Sequence, residues 1–183
     1  MPELALHILD LVQNSISAGA THITVKILRD TRTDALVIVI EDDGCGMTEE
    51  FVARVISPFT TSRTTRKVGL GIPMFKQLAE MCEGGFEITS KVGEGTRLEA
   101  RFRASHLDLP PLGDMPGTIC SLIIGCPEGV AFRFEFAEDE REFALDTEEV
   151  RAALGGLPLN EPEILEWLRQ YATEGIASTQ SPE

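Results

Sequence analysis

The stretch LHILDLVQNSISAGA, residues 6–20, decides the fold of the first part of this chain. Its apolar residues recur at the three- and four-residue spacing of a helix that is buried along one side. Four polar residues nevertheless share a single stripe of that helix: His7, Asp10, Asn14 and Ser17. A carboxylate and an amide in one line indicate that this stripe forms the wall of a polar pocket.

The composition of the whole chain is that of a folded soluble domain. It has 183 residues, of which 43% are hydrophobic and 25% charged, enough for one core and a small appendage. No apolar run approaches the roughly eighteen residues of a membrane helix, and no basic segment of a signal peptide precedes the first helix. We therefore expect a cytoplasmic protein without membrane contacts.

The cysteines show no metal-binding pattern. The chain has four cysteines and no CxxC pair among them: Cys45, Cys82, Cys120 and Cys126. We therefore interpret them as reduced thiols and expect no structural zinc. The spacing of Cys120 and Cys126 also allows them to be neighbours in a hairpin.

The charge is unevenly distributed. The net charge is −14, and residues 105–183 hold 16 acidic against 4 basic residues. Residues 51–79 instead hold five basic residues and no acidic one: Arg54, Arg63, Arg66, Lys67 and Lys76. Such a local patch suits a small polyanion such as a nucleoside triphosphate, whereas a nucleic-acid backbone needs a broad basic face.

Residues 1–104 are predicted to form one α+β domain. After the first helix, THITVKILR and ALVIVIE read as a strand hairpin in which Ile23, Val25 and Ile27 face inward. A helix capped by Thr48, a loop, a helix from IPMFKQLAEMCEGG and a hairpin around Gly93–Gly95 follow.

The remainder is predicted to be a separate, acidic extension. Residues 105–117 form a Pro/Gly linker. Residues 118–174 are predicted to form a three-stranded meander, from TICSLIIGC, VAFRFEFAE and REFALD, and two helices. We expect caps at Asp146 or Thr147 and at Asn160, and a flexible tail over residues 175–183.

Two glycine-containing segments have the chemistry of a nucleotide site. In DDGCGM, Asp42 follows a central strand and can accept a hydrogen bond from the exocyclic amine of adenine. Gly44 and Gly46 allow the backbone to approach the base. Gly69, Leu70 and Gly71 open a helix, whose free N–H groups bind phosphate.

The polar stripe and the basic loop complete this interpretation. Arg63 and Lys67 precede the helix start and can meet phosphate charge, although they also fit a solvated loop. Asn14 offers a hard oxygen ligand for Mg²⁺. Asp10 can orient or deprotonate a water, or can be a structural carboxylate bonded to the loop or to His7.

Four segments taken in order, DLVQNSISAGA, DDGCGM, GLGIPM and GEGT, resemble the sequence boxes of one ATPase superfamily. Its members include DNA gyrase, the heat-shock chaperones of the HSP90 type, sensor histidine kinases and MutL. The resemblance covers residues 1–103 and implies a Bergerat α/β sandwich, with a mixed, mainly antiparallel sheet, helices on one face and ATP beneath a lid. It implies adenine recognition by Asp42, Mg²⁺ binding by Asn14, and a pocket lined by Gly46, Met47, Gly69, Gly71 and Thr96.

Two departures leave the reaction open. Asp10 stands where hydrolysing members carry Glu, and Ser17 stands where MutL-like members carry Asp. A shorter base displaced by about 1 Å can cost roughly 100-fold in rate. Three hypotheses remain: a slow ATPase whose lid closure regulates a protein partner, the catalytic half of a split kinase acting on a separate protein, and a non-hydrolysing ATP-gated binding module.

Overall fold

The computed structural model describes residues 2–57 and 70–180, which build one open sheet of six strands. In chain order the elements are α1 (Leu4–Ser17), β1 (His22–Asp30), β2 (Ala35–Asp42), α2 (Glu49–Val55), α3 (Gly71–Met81), β3 (Gly85–Lys91), β4 (Gly95–Arg103), α4 (Met115–Gly125), β5 (Ala131–Glu138), β6 (Arg141–Asp146), α5 (Thr147–Ala153) and α6 (Pro162–Thr179). The strand order is β3-β4-β2-β1-β5-β6. Neighbouring strands are antiparallel except β1 and β5, which run parallel. The predicted mixed, mainly antiparallel α+β fold is confirmed.

The two faces of the sheet differ in polarity. Ile23, Val25 and Ile27 of β1 are all buried, as their alternation predicts, and they face the helices. The opposite face carries ion pairs such as Lys26–Glu135, at 3.8 Å, and Arg97–Glu41, at 3.1 Å. The core therefore lies between one face of the sheet and the helices.

Helices α1 and α3 pack side by side over β2 and β4. The ring of Phe75 in α3 stacks on His7 of α1 at 5.7 Å and contacts Phe102 of β4 at 5.5 Å. His7 is therefore half-buried against the core. The predicted cap of α2 is confirmed, since Thr48 Oγ1 accepts a hydrogen bond from the Phe51 amide.

The first predicted strand of the extension is wrong, because TICSLIIGC lies in helix α4. Asp114 caps this helix by accepting from the Gly117 amide, and Pro116 occupies its first turn. The helix is buried on most sides, so its sequence is a continuous apolar run, and periodicity alone does not separate such a helix from a strand. Cys120 and Cys126 are consequently not neighbours in a hairpin: Cys120 lies within α4 and Cys126 at its end.

The residues after 105 complete the same sheet. β5 pairs along the whole length of β1, from His22↔Ala131 to Arg29↔Glu138. The predicted linker also contacts α1, whose Leu4 and Ala5 amides donate to the Pro111 and Leu112 carbonyls at 3.0 and 2.8 Å. The division of the chain at residues 105–117 stays a prediction.

The last two helices match the sequence in part. Asp146 caps α5, as expected, by accepting from the Glu148 amide. The predicted cap Asn160 is wrong, because Pro162 takes the first helical turn of α6 and Glu161 the cap position. The predicted flexible tail is wrong for residues 175–179, which belong to α6 and bury Ile176. Residues 181–183 lie outside the described part of the chain.

Within residues 2–57 and 70–180, no helix combines the length and the apolar character needed to span a bilayer.

Candidate functional site

A cavity of about 590 Å³ opens between α1, the end of β2 and β4. Its lining contains six of the predicted site residues or their stripe neighbours: Asn14, Ser17, Asp42, Gly46, Met47 and Thr96. The remaining lining residues are Ser15, Ala18, Cys45 and the larger apolar side chains of Leu11, Ile40, Phe51, Ile72 and Leu98. A mainly apolar cleft with a few convergent polar groups is typical of a site for a flat organic ligand.

Asp42 is held in place while keeping free acceptor capacity. Its Oδ2 accepts a hydrogen bond from Ser15 Oγ at 2.6 Å, and its Oδ1 accepts from the Gly44 amide at 2.9 Å. Each carboxylate oxygen has two lone-pair sites, so each can accept once more. Since Asp42 lines the cavity, that capacity is available to an amine donor inside it.

The adjacent Asp43 has a different role. Its carboxylate accepts hydrogen bonds from the Thr21 and His22 amides, at 2.7 and 2.9 Å, and from Thr21 Oγ1. Partial burial alone would raise the pKa of Asp43, but these hydrogen bonds hold the pKa far below its ordinary value. Asp43 thus anchors the loop that follows β2 to the start of β1.

The two glycines of this loop are required by close backbone approach. A Cβ on Gly44 would lie 2.9 Å from Ala18 Cβ and 3.0 Å from Asp42 Oδ1. Gly46 has φ +71°, and a Cβ there would collide with the Lys91 carbonyl. The loop therefore sits directly against α1 on one side and β3 on the other.

Thr96 offers an acceptor to the cavity. Ser90 Oγ donates to the Gly95 carbonyl at 2.9 Å and accepts from the Met47 amide at 2.8 Å. Ser90 has one hydroxyl hydrogen, so Thr96 Oγ1, 2.8 Å away, must be the donor of the bond between the two hydroxyls. The remaining lone pairs of Thr96 are free to accept from a ligand.

Asn14 has an unsatisfied polar atom beside the cavity. Its Nδ2 is buried and has no hydrogen-bond partner among the described residues. An unpartnered buried amide costs about 1–3 kcal/mol, so native structures rarely keep one without a reason. A polar ligand in the cavity would supply the partner. The described residues contain no group of three or more acidic, His or Cys side chains placed to bind a metal.

Asp10 lies one helical turn before Asn14 and is not among the residues that line the cavity. Asp10 is exposed. A Cβ added to Gly71 would lie 3.7 Å from the Cβ of Asp10. Asp10 is therefore next to the first turn of α3. Burial lowers the pKa of the neighbouring His7, while the charge of Asp10 raises it; the pKa is lowered overall.

The predicted phosphate segment falls only in part within the described residues. Helix α3 begins at Gly71, so this glycine opens a helix as predicted; Leu70 takes the cap position and is exposed. Arg63, Lys67 and Gly69 lie outside the described residues.

Two contributors were missed in the sequence. Ser15 holds Asp42, and Ser90 orders the Met47–Thr96 side of the cavity. Ser15 left a signal: it follows Leu11 by four residues and Val12 by three, on the buried side of α1. A hydroxyl placed there must have a polar partner. Ser90 left none, since serine alternates unremarkably with apolar residues in β3.

One protein-family model matches residues 2–106, more than half of the chain; the family is described as "Histidine kinase-, DNA gyrase B-, and HSP90-like ATPase".

Several curated bacterial proteins are similar to the same part of the chain. The "Non-motile and phage-resistance protein" of Caulobacter vibrioides is 32% identical over 110 residues, covering 55% of this chain and 13% of that protein. "Sporulation kinase E" of Bacillus subtilis is 30% identical over 106 residues, covering 56% and 13%. "Autoinducer 2 sensor kinase/phosphatase LuxQ" of Vibrio cholerae is 28% identical over 109 residues, covering 55% and 13%. The chain thus matches only a small part of each relative.

Proposed function

The chain belongs to the family of histidine kinase-, DNA gyrase B- and HSP90-like ATPases, and on this basis we propose that it binds Mg²⁺-ATP. The proposed site is the cavity between α1 and β2, where the protein hydrolyses the nucleotide slowly. In this proposal the bound nucleotide regulates a protein partner. The predicted lid falls on residues 58–69, outside the described residues. The proposal therefore rests on the cavity and on the polar stripe of α1.

The observation that carries the proposal is the arrangement of Asp42 at the base of the cavity. Its carboxylate is fixed by Ser15 and Gly44 and keeps acceptor sites for an exocyclic amine. Thr96 adds a second acceptor, paired across the sheet with Asp42. Adenine presents an amine where guanine presents a carbonyl, so two acceptors favour ATP over GTP. The apolar walls supply contacts for the faces of the base.

Asn14 fits the position of a Mg²⁺ ligand. The metal ligand would be its amide oxygen, Oδ1. Its Nδ2, which is buried without a partner among the described residues, is a hydrogen-bond donor and would find an acceptor in a phosphate oxygen. A single amide oxygen suits Mg²⁺, which keeps several waters and takes its other ligands from phosphate oxygens. Bound there, the ion would neutralise phosphate charge.

We assign Asp10 as the base that accepts a proton from the attacking water. It shares the stripe of Asn14 and lies at the start of α3, where free N–H groups favour phosphate. Hydrolysis breaks the bond between the γ-phosphorus and the bridging oxygen. Water supplies the new oxygen, and Asp10 holds the proton before releasing it to solvent. The short side chain of Asp makes this reaction slow.

A second candidate is phosphoryl transfer to a separate protein. The relatives of Bacillus subtilis and Vibrio cholerae are named kinases, and their resemblance covers the ATP-binding region of this chain. In that case Asp10 is not a base for water and the γ-phosphate goes to a side chain of another protein.

The two candidates differ in the fate of the γ-phosphate. Single-turnover mixtures of Mg²⁺ and ATP labelled at the γ-phosphate are sampled over time for wild type, Asp10→Asn and Asp42→Asn. Glu128→Gln, an exposed carboxylate on the loop after α4, is the matched control. We expect phosphate release by wild type and the control, a loss of about 100-fold in Asp10→Asn with ATP still bound, and no binding by Asp42→Asn.

Other outcomes are equally decisive. Equal release by wild type and Asp10→Asn would remove Asp10 as the base. No release by either, with ATP bound, would reject the ATPase and leave the transferase candidate. Unchanged ATP affinity in Asp42→Asn would reject the site itself.

A further inference from the structure

A row of aromatic rings runs from the core to the outer surface of α6. Phe136 is buried, and its ring lies 6.3 Å from that of Phe143 in β6. Phe143 contacts Tyr171 edge-on at 5.3 Å, and Tyr171 stacks on Trp167 at 5.1 Å with an interplanar angle of 8°. Trp167 and Tyr171 are 49% and 40% exposed. Two large aromatic side chains are therefore held rigidly at the surface.

Two carboxylates flank this exposed pair on α6. Glu163 precedes Trp167 by one helical turn and Glu174 follows it by two turns, so all three share one stripe of α6. Glu174 accepts a hydrogen bond from Gln170, at 3.2 Å, which adds no positive charge. Within residues 2–57 and 70–180, neither glutamate is ion-paired, and the basic residue of α6, Arg169, pairs instead with Asp114.

The surrounding sheet edge is also available. β6 is the last strand in the sheet order, so its outer edge has no strand partner among the described residues. Phe143 connects that edge to the aromatic pair on α6. The edge strand therefore supports the aromatic pair from below through the Phe143–Tyr171 contact.

Charge decides which occupant fits this surface. A second copy would bring two strongly acidic regions together, because residues 105–183 hold 16 acidic against 4 basic residues. Nucleic acid and anionic lipid are repelled for the same reason. A basic polypeptide is attracted, and a guanidinium group both stacks on an exposed indole and pairs with carboxylates.

We propose that Trp167, Tyr171, Glu163 and Glu174 form a docking surface for an arginine-containing segment of a partner protein. The planar guanidinium lies against the Trp167–Tyr171 pair, and the two glutamates neutralise the basic charge of the segment. This surface lies outside the nucleotide cavity, so the proposal stands or falls independently of ATP hydrolysis.

The sole tryptophan of the chain, Trp167, gives a direct readout. The probes are a labelled peptide of alanine and arginine about twelve residues long, roughly three helical turns, and a matched peptide with glutamate in place of arginine. We expect the arginine peptide to quench the Trp167 emission with saturation. The glutamate peptide should have no effect. Raising the salt concentration should weaken binding.

Variants locate the contact by anisotropy of the labelled arginine peptide. Trp167→Ala should weaken binding about tenfold, as should the double variant Glu163→Gln/Glu174→Gln at low salt. Leu157→Ala, which removes another exposed apolar side chain, should bind as wild type does. The double variant keeps the aromatic pair, so the test holds even if Trp167→Ala unfolds.

Three results would overturn the proposal. The first is the absence of saturable quenching by the arginine peptide. The second is equal affinity in wild type, Trp167→Ala and the double variant. The third is a wild-type dimer in sedimentation that Trp167→Ala converts to a monomer, because a second copy would then be the occupant.

Discussion

Helices α1 and α6 cover the same face of one sheet, yet they use their remaining surface in opposite ways. α1 buries Leu4, Ile8, Leu11 and Val12 and places two residues of its polar stripe, Asn14 and Ser17, at a cavity. α6 buries Leu168, Ala172 and Ile176 and presents aromatic and acidic side chains to solvent. Packing against the sheet determines which side of each helix is apolar. The other side faces a cavity in α1 and solvent in α6.

The difference lies in whether polar groups are enclosed. On α1, the amide nitrogen of Asn14 is buried without a partner among the described residues, and the fixed carboxylate of Asp42 lines the same cavity. Such a place favours a small ligand that completes the hydrogen bonds. On α6, Glu163 and Glu174 are exposed to solvent. A partner that covers them must displace their water, so it needs a large interface with many contacts to bind.

The largest effect is expected from Asn14→Ala in α1. We expect the affinity for ATP with Mg²⁺ to fall about 100-fold, because a metal ligand is lost. The free energy of unfolding of the free protein should stay the same or rise, because a buried amide without a partner among the described residues costs stability there. Calorimetry with and without Mg²⁺, together with urea unfolding, measures both. Gln13→Ala, an exposed neighbour, is the control. Equal loss of affinity in the two variants would contradict the assignment.

Gly175→Ala in α6 tests the opposite case, a position limited by packing. A Cβ at Gly175 would collide with the ring of Phe143, so we expect a loss of about 1–3 kcal/mol in the free energy of unfolding. This loss should exceed the gain of up to roughly 1 kcal/mol that alanine brings inside a helix. Gly125→Ala, at the end of α4, meets no atom within 4 Å and should be neutral or stabilising. Urea unfolding of both variants makes the comparison, and a stable Gly175→Ala would show that α6 does not pack tightly on β6.

Ser15→Ala should affect the nucleotide site moderately. It removes the hydroxyl that donates to Asp42 Oδ2, leaving the Gly44 amide as the remaining described donor. We expect ATP affinity to fall at least about tenfold, in line with the roughly 1.5–3 kcal/mol of a hydrogen bond to a charged group. Preference for ATP over GTP should narrow. Ser17→Ala, also at the cavity, is the control, and equal behaviour of the two would reject a positioning role for Ser15.

The smallest effect is expected from His7 and pH. Burial lowers the pKa of His7 in the folded protein, partly offset by Asp10, so the unfolded chain takes up a proton more readily. Its contribution to stability is therefore complete above the unfolded pKa of about 6.5 and is lost as pH falls below it. His7→Phe keeps a ring against Phe75 and should flatten this part of the curve. The test is urea unfolding of both proteins between about pH 5 and 8, the range in which histidine side chains titrate. An equal slope in both proteins would exclude His7.

Five residues that line the cavity, Asn14, Asp42, Gly46, Met47 and Thr96, were named from the sequence, because such positions follow local rules. Asp42 ends a strand, Gly46 needs a positive φ, and Gly71 opens a helix, all of which leave local signals. Ser15 and Ser90 act across the fold, on Asp42 and Met47, and only their partners reveal them. The predictions for Arg63 and Lys67 are not tested by the described residues.

The fold after residue 105 was harder to predict for a physical reason. α4 is surrounded by α1 and α6, so its sequence lacks the polar side that marks a helix. Nothing local indicates that β5 pairs with β1, since strand pairing over such a distance depends on the whole core. Asn160 has the side chain of a helix cap, but α6 begins at Pro162, so the cap position falls on Glu161 instead.

The parallel pairing of β1 with β5 has a consequence for synthesis. Strand β1 is complete once residue 30 has been synthesised. Its second neighbour in the sheet, β5, is complete only after Glu138. Until then, the edge of β1 beyond β2 has unpaired backbone groups next to Ile23, Val25 and Ile27 on the future core face. The nascent chain therefore passes through a long interval with an open sheet, in which chaperone binding or mispairing competes with the native contact.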